Sequence, residues 1–151
     1  MNFSAIDPAR LPELLCAMPK AELHLHIEGS LEPELMCELA RRNQVRLPHA
    51  DVAAVREAYA FTNLQSFLDI YYAGASVLQQ PQDFYDLAWA YFERAAADHV
   101  VHAEIFFDPQ THTQRRVSMR TVVSGLHRAC EDARAKWGMD AQLIMCFLRH
   151  L

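Results

Sequence analysis

Residues 21–30 read AELHLHIEGS. The first seven are short and mostly apolar, as a buried strand is, and Gly29 just beyond them lets the chain turn sharply. Two further segments read the same way: VVHAEIFF at residues 100–107 and AQLIMCFL at residues 141–148. Neither alternates cleanly between polar and apolar positions, which suits strands covered on both faces.

Helical periodicity fills the intervals. Residues 33–43 carry Leu35, Met36, Leu39 and Ala40 on one side, with Pro33 in the first turn, where its missing N–H costs little. Asn63 is a fitting N-cap for a helix bearing Leu64, Phe67, Leu68, Tyr71, Ala75 and Leu78 at spacings of three and four. Phe84, Leu87, Ala88, Tyr91 and Ala95 mark another. Ser118 caps a long helix with Met119, Val122, Val123, Leu126, Cys130 and Ala133, and Gly138 ends it. These apolar stripes read as core faces. Residues 46–60 suggest a short helix on an excursion, and the polar residues 111–116 a loop.

Strand, helices, strand, helix, strand is the order of an α/β protein, and right-handed crossovers place its strands side by side in a parallel sheet. Three strands close no barrel, and a (β/α)8 barrel takes roughly 200–250 residues or more. The 151 residues end beside the third strand, where a βα loop is due. The layout predicts one domain over residues 1–151, the N-terminal portion of a (β/α)8 TIM barrel with about three parallel strands and intervening helices.

The net charge is −5 and 22% of residues are charged, with no stripe of Lys or Arg, so nucleic acid is not an expected partner. The N-terminal residues lack a basic start followed by an apolar run, and no stretch approaches the roughly 18 apolar residues of a membrane span. A cytoplasmic location with no membrane partner is the resulting expectation. Cys16, Cys37, Cys130 and Cys146 form no CxxC pair and read as reduced thiols rather than a zinc module or a disulfide scaffold.

His24 and His26 are the sharpest local feature. On a strand, residues i and i+2 point to the same side, so the two imidazoles project together while Leu25 faces the other layer. Neutral imidazole nitrogen binds Zn²⁺ at about 2.0–2.1 Å, and two such ligands make half of a tetrahedral site. The pair alone fits either a metal site or two satisfied structural histidines. Glu28 shares their parity if the strand runs on, which would turn its carboxylate to the same pocket. Asp108 and His112 follow the second strand at the same end of a parallel sheet; they fit pocket or ligand-orienting roles as well as turn chemistry. His49, His99, His102 and His127 lack a partner at metal spacing and read as structural, and His150 lies near the end of the third strand. There is no GxGxxG, Walker loop or GxSxG. His26-Ile27-Glu28 matches half of the cytidine-deaminase zinc motif, but the PCxxC half is missing.

Residues 18–34, MPKAELHLHIEGSLEPE, resemble the opening motif of the adenosine and adenine deaminases of the metal-dependent hydrolase superfamily. That motif is a proline and a lysine, then ELHxHLxG with an acidic residue before the glycine. FTNLQSFL at 61–68 and AEIFFDPQTHT at 103–113 resemble the branch that acts on the free base. The resemblance implies a TIM barrel with one catalytic Zn²⁺, ligated in this chain by His24 and His26. It implies a substrate site that Glu28 and His26 help form, and hydrolysis of adenine to hypoxanthine and ammonia in purine salvage. The remaining ligands and the proton-shuttling glutamate belong to later strands, so this chain alone is expected to be inactive. Alternatives are an adenosine deaminase, a non-catalytic fragment, or a phosphoesterase whose site also begins with HxH. One departure stands out: Arg116 occupies a position where the family usually has glycine, and a positive φ there would strain the loop.

Overall fold

The computed structural model describes residues 7–149. Three parallel strands, β1 (Lys20–His26), β2 (Val100–Phe107) and β3 (Asp140–Met145), form one sheet in the order β1-β2-β3. The helices are α1 (Leu11–Ala17), α2 (Pro33–Arg42), α3 (Val52–Ala58), α4 (Leu64–Ser76), α5 (Pro81–Ala97), α6 (Pro109–Thr113) and α7 (Met119–Trp137). Between β1 and β2 the chain makes the predicted excursion, and α3 is the short helix expected within residues 46–60. No helix among the described residues is long and apolar enough to cross a membrane.

Local sequence explains the helix ends. The Asn63 side chain accepts from Ser66 N at 3.0 Å, and Ser66 Oγ accepts from Asn63 N at 3.3 Å, closing a capping box on α4. Ser118 Oγ accepts from Thr121 N at 3.1 Å at the start of α7. Gly138, at φ 68°, ends α7 in the left-handed conformation that glycine adopts without a Cβ penalty. Fully buried Asp83 starts α5 by accepting from Gln79 N and Gln80 N at 2.9 and 2.8 Å, and it also receives Asn43 Nδ2 at 2.7 Å and Arg42 at 3.1 Å. Four donors on one carboxylate explain why it lies in the interior without penalty.

Ala103, Ile105 and Phe107 of β2 are buried with Phe84, Leu87 and Phe92 of α5 and Leu126 and Ala129 of α7 in one core. Helices α5 and α7 approach closely at Gly125, where an added Cβ would lie 2.2 Å from Pro81 O. Only glycine permits that approach.

Three expectations need correction. β3 stops at Met145 rather than at residue 148, although Cys146 N still donates to Phe107 O at 3.0 Å. Residues 111–116 are not simply a loop. Pro109, preset for a first turn, opens α6, and Thr111 N donates back to Asp108 O at 3.1 Å. β1 ends at His26 instead of continuing, because residues Ile27–Ser30 wind into a 3-10 turn. The parity argument for Glu28 therefore lapses.

Candidate active site

The carboxyl ends of parallel strands are where an α/β sheet places its chemistry. Here they bring together His26 from β1, Asp108 after β2 and Cys146 after β3, whose candidate ligand atoms all lie within 4.8 Å of one another. The His24 and His26 rings project together as expected, with centroids 5.5 Å apart at 29°. Phe106 of β2 stacks on His24 at 4.3 Å, which braces the pair from the neighbouring strand. Leu25 packs partly against the core on the opposite layer.

Asp108 is held on several sides. Its Oδ2 accepts from the Tyr71 hydroxyl at 2.7 Å, and its backbone N–H donates to Glu28 Oε1 at 2.9 Å. Burial, and then the Glu28 and Asp108 carboxylates, raise the Tyr71 pKa far above the ordinary phenol value, so Tyr71 is a fixed donor. The Asp108 side chain is 6% exposed, yet its Oδ1 has no hydrogen-bond partner. The facing atom is His26 Nδ1 at 3.6 Å, too far for a hydrogen bond as it stands.

Glu28 lies behind the strand ends, with its side chain 1% exposed. Oε1 also faces His112 Nε2 at 2.9 Å, and Oε2 lies 3.4 Å from Tyr71. The cavity it lines with Gly29, Tyr59, Phe67, Ile70, Tyr71 and Gly74 measures about 20 Å³, room for a water molecule and not for a purine. His112, wholly buried, meets an Arg115 nitrogen at Nδ1, 2.9 Å away. Helix α6 thus aims His112 at Glu28, not at the His24–His26 pair.

Cys146 and Tyr71 were not singled out as site residues from the sequence. Tyr71 lies within an ordinary apolar stripe, and Cys146 has no CxxC neighbour. Burial, with Asp108 and Glu28 nearby, raises the Cys146 pKa and favours the thiol. Among the remaining histidines, His99 Nδ1 pairs with Ala17 O at 2.6 Å and His102 Nδ1 with Asp140 at 2.8 Å, both structural roles. His150 lies outside the described residues. Arg116 sits at φ 68°, in the left-handed region where a residue with a Cβ is strained.

The donor set suits zinc: two adjacent imidazoles, with an orphaned carboxylate oxygen beside one of them. The adenosine deaminase family model matches residues 19–151. An adenine deaminase of Trichlorobacter lovleyi is 64% identical over the whole chain, and one of Geotalea uraniireducens 63%. The chain spans 43% and 42% of those two relatives' lengths. The crystal structure of an adenine deaminase from Arthrobacter aurescens superposes with a TM-score of 0.85 at 53% identity, over 89% of this chain and 41% of that one. An amidohydrolase from Burkholderia ambifaria, solved with bound Zn, gives 0.77 at 26% identity, over 95% and 40%. The portion described here is thus the first part of a TIM-barrel fold.

Proposed function

This chain belongs to the adenosine deaminase family, and from that membership we propose that it forms the first strands of a zinc-dependent site that hydrolyses adenine to hypoxanthine and ammonia. The observation carrying the reading is the His24–His26 pair at the end of β1, stacked under Phe106 and beside the orphaned oxygen of Asp108. Both histidines are proposed as zinc ligands. When bound, zinc supplies Lewis acidity and a water acidic enough to react near neutral pH.

The chain's own residues do the positioning. β1 and Phe106 hold the two imidazoles in a common orientation, so little order has to be gained when the metal binds. His26 borders the substrate region at the strand ends. Glu28 shapes that region from behind by fixing the backbone of Asp108. In the overall reaction water delivers oxygen to C6 of adenine and the amino group leaves as ammonia. The proton transfers are assigned to a carboxylic acid in the part of the barrel that this chain does not span, so residues 1–151 alone are proposed to be inactive. A cytoplasmic role in purine salvage goes with this reading.

The free base is preferred over the nucleoside because relatives 60–64% identical are adenine deaminases. Turnover of adenine and adenosine by the full-length protein tests the preference. Faster turnover of adenine is the expected result, and a preference for adenosine overturns it.

A further inference from the structure

We propose that Asp108 is a positioning residue for His26: its free Oδ1 accepts the His26 Nδ1–H, which leaves Nε2 as the metal-binding nitrogen. The inference deepens the proposed function and rests on His26 being a zinc ligand.

Two contacts fix Asp108. Tyr71 occupies Oδ2 of Asp108, and Glu28 holds the Asp108 backbone. His112 holds Glu28, and Arg115 holds His112. The carboxylate therefore has little freedom to turn, and its remaining oxygen is buried without a partner. A buried acceptor left unpaired is unfavourable, so an adjacent donor is drawn to it. The facing atom is His26 Nδ1 at 3.6 Å, and a small rotation of the half-exposed imidazole closes the gap. A histidine that donates from one ring nitrogen presents its lone pair on the other. A carboxylate partner of this kind fixes the ring and makes the ligating nitrogen more basic.

Two measurements on the full-length protein test this. Long-range ¹H–¹⁵N spectra of the zinc-loaded wild type report which His26 nitrogen carries the proton; Nδ1 is expected, and a protonated Nε2 overturns the proposal without reliance on any variant. Chelator competition then measures zinc affinity. Asp108→Asn is expected to weaken it by about 10–100-fold. Cys146→Ser, which removes the other candidate ligand nearby, is expected to weaken it less than Asp108→Asn does. An Asp108→Asn protein that holds zinc as tightly as wild type overturns the role of Asp108, and a loss confined to Cys146→Ser transfers that role to the thiol. A wild-type protein that takes up no zinc overturns the proposed function itself, which separates the two failures.

Discussion

Arg115 fixes the tautomer of His112. A guanidinium nitrogen lies 2.9 Å from His112 Nδ1, and because a guanidinium only donates, Nδ1 must accept. His112 Nε2 then carries the hydrogen and donates to Glu28 Oε1 at 2.9 Å. The same Arg115 nitrogen, Nη2, also reaches Ala75 O and Leu78 O, while Nη1 reaches Ser76 O and Nε reaches Thr111 O, so the cation caps the carbonyl end of α4. One side chain thereby ties α4 and α6 to the carboxylate that holds Asp108.

Arg115→Met keeps much of the side-chain volume and removes every donor. It leaves several buried carbonyls and one imidazole nitrogen unpaired. A destabilisation of about 2–4 kcal/mol is expected in chemical denaturation of the full-length protein. A change below about 0.5 kcal/mol, the level of an ordinary surface substitution, would contradict the clamp.

Gly125 and Gly138 separate packing from conformation. A Cβ at Gly125 would meet Pro81 O at 2.2 Å, and relief requires α5 and α7 to move apart. Gly125→Ala is expected to cost about 1–3 kcal/mol or more. At Gly138 nothing lies within 4 Å of the added atom, and only the φ of 68° is unfavourable. Gly138→Ala is expected to cost about 1 kcal/mol. Thermal unfolding of the two variants should rank Gly125→Ala as the more damaging.

Arg116→Gly is expected to stabilise the protein slightly. Relief of left-handed strain at φ 68° is worth about 1–2 kcal/mol, and the extra freedom of glycine in the unfolded chain returns about 0.4–1 kcal/mol of it. Denaturation midpoints of wild type and variant check the sign. A lower midpoint for the glycine variant would mean that the Arg116 side chain contributes more than its backbone costs.

Alkaline pH should weaken the fold through Cys130. Burial pushes this thiol up to about 12 from an ordinary 9.0. The unfolded chain releases the proton first, so the contribution of the buried thiol is complete below pH 9.0 and is lost as pH rises towards 12. Melting temperatures of wild type and Cys130→Ala compared between pH 8 and 10 should converge as pH rises. A constant difference would contradict the assignment.

Local signals were legible and distant ones were not. The apolar run at residues 100–107 has the bounds of β2, because a buried strand is a short apolar run whose ends are marked by its neighbours. The caps at Asn63 and Ser118 and the stop at Gly138 each rest on one residue and its close neighbours, and all three were readable. Parity does not locate the Glu28 carboxylate, because it holds only while a strand lasts and the chain leaves β1 at His26. Its partners Tyr71, Asp108 and His112 are 43, 80 and 84 residues away in sequence, a spacing that no local pattern encodes. The role of Arg115 is hidden for the same reason: most of the carbonyls it reaches lie at the end of α4, about 40 residues away.

Zinc content and adenine-dependent ammonia release, measured together on the full-length protein and on its His24→Ala and His26→Ala variants, test the assignment of both histidines as zinc ligands most directly. About one zinc per wild-type chain with adenine turnover is expected, with loss of both in each variant. Full zinc occupancy and undiminished ammonia release in either variant would contradict the assignment.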